Sequence, residues 1–98
     1  MNKWQQRFSN WLIHHLKLPS DTVLELPRIT TIGQFHAYIE NHRGLIIFKD
    51  KEIQLKMEQG ILKIIGQDFV IKTLLPEEIL IEGTIYAIRF VNSDNNEQ

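Results

Sequence analysis

The chain contains no cysteine. Disulfides, thiolate nucleophiles and cysteine-based zinc sites are excluded together, which fits a reducing cytosol, although a cysteine-free chain suits any compartment. Serine is confined to Ser9, Ser20 and Ser93, and neither GxSxG, GxGxxG nor GxxxxGK[ST] occurs, so nucleophile elbows and phosphate-cradling loops are missing. Long apolar runs are lacking as well: Leu45 to Phe48 is typical, far short of a bilayer span. In the first twenty residues Trp4, Phe8, Trp11 and Leu12 are interrupted by Lys3, Gln5, Gln6, Arg7, Ser9 and Asn10, which is not a signal-peptide core. Charge of one sign is also missing. Eleven basic against twelve acidic residues leave a net charge of −1, so no overall field draws the chain to nucleic acid. Lys49, Lys51, Lys56, Lys63 and Lys72 are interleaved with Asp50, Glu52, Glu58 and Asp68, as on a mixed solvated surface.

What remains is enough for one modest core. The 98 residues suit one domain, and 43% hydrophobic content is too high for a disordered chain. Lys3 to about Leu16 reads as a helix. At about 100° per residue, Trp4, Phe8, Trp11, Leu12 and His15 fall on one stripe, with Ile13 off it. Asn2 and Gln5 have capping-box spacing, and Pro19 ends the helix. The stripe either closes one end of a β core or docks on a partner or membrane surface, since large aromatics carry a heavy apolar payload. Trp4, Phe8 and Trp11 are the candidate docking residues.

Beyond Pro19 the periodicity changes to two. Leu24 and Leu26 alternate with Val23 and Glu25. Phe35, Ala37 and Ile39 alternate with His36, Tyr38 and Glu40. Ile53-Gln-Leu-Lys-Met57 alternates strictly, which predicts Ile53, Leu55 and Met57 inward and Gln54, Lys56 and Glu58 in water. A weak repeat lays Gly44–Lys56 over Gly60–Lys72, with a looser third copy from Ile79 through Gly83 to Phe90. Each copy reads as strand, turn, strand, with turns at Asp50-Lys51, Gly66-Gln-Asp68 and Gly83-Thr84. The pattern predicts a mainly β domain, a small antiparallel sandwich or barrel-like body of sequential hairpins behind one amphipathic helix. A short β-solenoid with a sixteen-residue coil is the alternative. Residues 1–18 form the helical segment, 19–91 the β domain and 92–98 a polar tail.

Chemistry-bearing clusters are sparse. His14 and His15 are adjacent on a helix, so their side chains diverge. His36, Glu40 and His42 lie near a strand-to-turn junction without metal-ligand spacing. They read as surface and turn residues, and Glu25, Glu40, Glu52, Glu58 and Asp68 as a solvated polar phase. Pro76-Glu77-Glu78 reads as an exposed turn. No catalytic, metal or cofactor site is expected, although His36, Glu40 or His42 would suit a hydrolase if they converged on one point. A pocket gathering Tyr38, Phe48 and Tyr86 would instead mark a ligand- or glycan-binding module.

Leu26-Pro-Arg-Ile-Thr30 followed by Tyr38-Ile-Glu-Asn-His-Arg-Gly44 resembles the YabP/YqfC family of sporulation proteins, and its YqfC branch in particular. Leu75-Pro-Glu-Glu-Ile79, Glu82-Gly83 and Ile88-Arg-Phe90 fit the same pattern, so the resemblance covers roughly Lys3 to Val91. It implies a non-enzymatic protein of the mother-cell cytoplasm during sporulation. It further implies a structural or assembly role and contact with a membrane protein of the forespore envelope. The expected partner is a protein, with peripheral membrane contact and homo-oligomerisation left open and nucleic acid not expected. The family brings no catalytic residues. Its matched Asn41, His42, Arg43 and Gly44 read as a structural turn, with His42 and Arg43 as a candidate recognition turn.

Overall fold

The computed structural model describes residues 3–16 and 26–92. The alternation about Leu24, the polar tail beyond Asn92 and the stop at Pro19 lie outside them. One helix, α1 (Lys3–Leu16), precedes six strands: β1 (Arg28–Ile32), β2 (His36–Glu40), β3 (Gly44–Phe48), β4 (Glu52–Lys56), β5 (Ile61–Leu74) and β6 (Glu78–Val91). The strands form a single antiparallel sheet in the order β1-β2-β6-β5-β4-β3.

The expected mainly β, hairpin-built domain with one helix is the fold observed, and the sheet stays open. It neither closes into a barrel nor separates into two sheets, because β5 and β6 are long enough to serve both halves. Residues 61–65 of β5 pair with β4, whereas residues 78–82 of β6 pair with β2. A solenoid would place β5 beside β3 one coil earlier, but β3 pairs with β4.

Two turns expected from the repeat are bends inside these long strands. Gly66-Gln-Asp68 and Gly83-Thr84 lie within β5 and β6, where the register shifts between Ile65 and Gly66 and between Gln67 and Val70. Extra residues at such bulges kink a strand and change its phase. Leu62 and Ile64 are therefore buried before the bend, and Phe69 after it. Asp68 takes a φ of 62° at the kink. Asp50-Lys51 is a true turn, closed by Lys49 N–H to Glu52 O at 2.8 Å.

The bend folds the sheet over one core. Ala37, Ile39, Ile79 and Ile81 from the half containing β1 and β2 join Ile53, Leu55, Leu62 and Ile64 from the half containing β3 and β4, all without solvent exposure. Met57 and Phe69 complete the cluster. Ile53, Leu55 and Met57 point inward as the sequence predicts, with Lys56 and Glu58 exposed, while Gln54, expected in water, is half-buried. Phe35 departs from its expected inward phase and lies exposed in the turn between β1 and β2. Phe69 sits at the fold line between two glycines. A β-carbon added to Gly66 would lie 2.8 Å from Phe69 Cζ and 1.9 Å from Thr84 O. One added to Gly83 would lie 2.7 Å from Phe69 Cδ1. Only glycine lets the strands approach the ring so closely.

Candidate interaction surfaces

The connection from β2 to β3 ties the two halves together opposite the bend. Asn41 and His42 donate backbone N–H groups to Glu77 O at 2.7 and 3.2 Å, and Arg43 N–H donates to Lys56 O at 2.7 Å. Asn41 takes a φ of 70°, which asparagine tolerates, and its side chain donates to Leu26 O at 2.6 Å. The Arg43 guanidinium stands 3.2 Å from Glu58 and 3.9 Å from Glu77. His42 corrects the expectation of a surface histidine. It is 1% exposed, and its Nδ1 accepts the Gly44 N–H at 3.0 Å. An accepting Nδ1 puts the proton of a neutral ring on Nε2, which is buried without a partner. Of the two candidate recognition residues, Arg43 is exposed and His42 is enclosed.

A second polar group lies on the outer face, where Glu40 pairs across the ladder with Arg28 on one side and Glu78 on the other. Tyr38 O–H donates to Glu78 Oε1. Glu40 is 5% exposed with Oε1 unpartnered, so the solvated-face reading does not hold for this residue. Burial pushes its carboxyl above the usual range, Arg28 pulls it down and Glu78 raises it. His36 is two steps away on the same strand but turns to Glu82 at 3.5 Å, and Lys72 reaches that carboxylate at 3.4 Å.

These groups do not make a catalytic constellation. His36 engages Glu82, the buried Glu40 oxygen has no partner, and His42 bonds within its own turn. Among the described residues no three of His, Asp and Glu gather as metal ligands. The three aromatics named for a ligand pocket are spread apart. Tyr38 lies on the outer face of β2, Phe48 is at the edge strand β3, and Tyr86 stands exposed at the β6 bulge.

Apolar side chains at solvent-facing positions are more prominent. Among the described residues helix α1 contacts no strand. Its Trp11 is 51% exposed and stacks on His15 with ring centroids 4.6 Å apart, while His15 Nδ1 lies 2.9 Å from Trp11 O. The side chains of Trp4 and Phe8 lie outside the described residues. On the sheet, Phe48, Phe90 and Leu45 face the same side as the core but lie exposed near strand edges. Period two reports which face a side chain takes and not whether that face is covered. No helix among the described residues is long and apolar enough to cross a membrane.

Residues 25–97 match the YabP family. Over 93 residues, 95% of this chain and 100% of the relative, the sequence is 50% identical to a Bacillus subtilis (strain 168) protein with the name "Uncharacterized protein YqfC". The Tyr38–Gly44 segment that first suggested this kinship is the one that bonds the two half-sheets together. On the extent of both matches, the chain belongs to the YabP family, on its YqfC branch.

Proposed function

We propose that this chain is a non-enzymatic sporulation protein of the mother-cell cytoplasm that works through protein contacts, with helix α1 as its docking element and a membrane protein of the forespore envelope as its partner. The observation that carries the docking role is the exposure of Trp11 on α1, with no strand contact to the helix among the described residues. Among the described residues the buried cluster is drawn from the strands and the segment just after β4, while Trp11 on α1 stays half exposed. A tryptophan left at a surface is a strong binding anchor, because it buries a large area with few rotatable bonds. The assembly role draws further support from the family membership and from polar groups committed to turns and ladders.

A pull-down from sporulating cells tests the reading, using the full chain, a form lacking residues 1–18, and the Trp4→Ala, Trp11→Ala double variant. The full chain should retain a membrane protein that both altered forms lose. Equal capture by all three would remove the helix from the docking role. Capture that disappears in detergent but returns on bare anionic vesicles would favour lipid over protein.

A further inference from the structure

Strand order leaves one half-sheet with two free sides. In the sequence β6-β5-β4-β3, the outer side of β3 and the outer side of Ala87–Val91 of β6 have no neighbouring strand among the described residues. Strand β2 reaches only to Glu82 of β6, and the turn before it adds bonds no further than Ile85. Each free stretch is five residues long, and Arg89 is the only charged residue in either. Natural edges are ordinarily blunted by lysine, proline or inward charge.

The side chains on these edges continue the core rows. One row runs Phe90, Leu62, Leu55, Leu45 across the four strands, and the next runs Ile88, Ile64, Ile53, Phe48. The middle members of both rows are fully buried. Three of the four ends emerge into solvent, with Phe90 61%, Phe48 48% and Leu45 37% exposed, while Ile88 is half-buried against the core. Because alternate strands reverse direction, β3 and β6 run antiparallel to each other. A second copy placed beside the first therefore meets β6 with its own β3 in the polarity the sheet already uses, and both apolar rows carry on across the junction.

We infer that this half-sheet is an interface for a second copy of the chain, joined head to tail through β6 of one molecule and β3 of the next. Symmetric pairings fit less well. Two β6 edges would leave the exposed Phe48 and Leu45 of both β3 edges uncovered. Two β3 edges would oppose the register shift between Leu45 and Ile47 to itself, whereas Ala87–Val91 pairs with β5 residue for residue. A head-to-tail contact does not close on two molecules, so association is open-ended. It uses surfaces separate from helix α1, and the proposed docking role can fail without affecting it.

Sedimentation velocity on the full chain, from about 10 μM to about 1 mM, gives the first readout. The weight-average mass should climb from the 11.6 kDa monomer past twice that value without a plateau. Phe90→Lys and Phe48→Lys each alter an exposed side chain on one edge, and circular dichroism establishes that each still folds. Either variant alone should remain monomeric, since its intact edge finds only a blocked counterpart. Mixed in equal amounts they should form a one-to-one dimer that grows no further, joining β3 of the Phe90→Lys molecule to β6 of the Phe48→Lys molecule. A wild-type mass constant at 11.6 kDa over the whole range overturns the proposal. Dimerisation of Phe48→Lys by itself also overturns it, in favour of a symmetric β6 pair. Two folded variants that stay monomeric when mixed overturn it as well.

Discussion

Replacing Gly66 with alanine tests the fold line directly. The new β-carbon would lie 1.9 Å from Thr84 O, while real contacts of this kind stay beyond 3.0 Å. The strands must therefore separate by at least 3.0 − 1.9 = 1.1 Å. The obstacle is a backbone carbonyl, which cannot rotate aside as a side-chain tip can. Overpacking of this kind costs about 1–3 kcal/mol. Displacing Gly66 also strains its N–H bond to Lys51 O, now 3.0 Å, and a lost backbone bond adds about 0.5–1.5 kcal/mol. Alanine recovers about 0.5–1 kcal/mol of the glycine penalty in a strand. A net loss of about 0.5–4 kcal/mol, centred near 2, is expected, out of roughly 5–15 kcal/mol for a domain of this size.

Urea unfolding followed by far-ultraviolet circular dichroism measures this loss, because both tryptophans belong to α1 and their fluorescence would not report the sheet. A Phe69→Ala background separates the two glycines. The contact at Gly83 is mainly with Phe69 itself, at 2.7 Å to Cδ1, so removing the ring should lower the cost of Gly83→Ala. The cost of Gly66→Ala should persist, since Thr84 O is still in the way. Gly66→Ala within about 0.5 kcal/mol of the parent, the ordinary range for a harmless surface change, would refute the reasoning.

Three further outcomes are expected. Leu55→Ala should lose about 2–5 kcal/mol and Lys56→Ala little, and urea midpoints in the reverse order would mean the register is misread. Glu40 holds its proton more tightly folded than unfolded, so its contribution is full below the ordinary value of 4.5 and fades as pH rises through the raised folded value. Glu40→Gln should accordingly gain stability relative to the parent towards neutral pH and less in acid, and a pH-independent difference in urea midpoint would count against this. A chain lacking residues 1–18 should keep the β circular dichroism spectrum and cooperative unfolding of the parent, and an unfolded product would return α1 to the core.

The sequence disclosed strands where local alternation runs through described residues, as from His36 to Glu40 and from Ile53 to Met57. Ile53 to Met57 shows both its period and its burial, because every inward position is covered by the facing half-sheet. The long strands were harder to read. A glycine followed by polar residues, as at Gly66-Gln-Asp68, is the signature of a turn, and a bulge uses the same residues for the same backbone angles. Only the partner strand separates the two cases, and β6 lies outside any local window. Glu40 and His42 misled for a related reason. Their polarity argued for solvent, yet the return of Glu77 over the β2–β3 connection encloses a segment that looks like an ordinary turn. The role of Asn41 was visible because its backbone angle is an intrinsic preference. That β3 and the end of β6 have no strand neighbour among the described residues was not visible, since strand order is a property of the whole chain.

The place of β6 beside β2 has a consequence for how the molecule is made. The register joining His36–Glu40 to Glu78–Glu82 spans some forty residues of chain, with three strands between. On a ribosome the β1–β2 hairpin emerges early and has no partner until β6 has left the exit tunnel. Isolated two-stranded hairpins are marginal in water, so Ala37 and Ile39 stay unsheltered through most of synthesis. Pairings this distant in sequence must repay their loop-closure entropy before they stabilise anything, which slows folding. The nascent chain therefore carries exposed β edges for longer than a helical protein of equal length, and chaperone demand should concentrate in that interval.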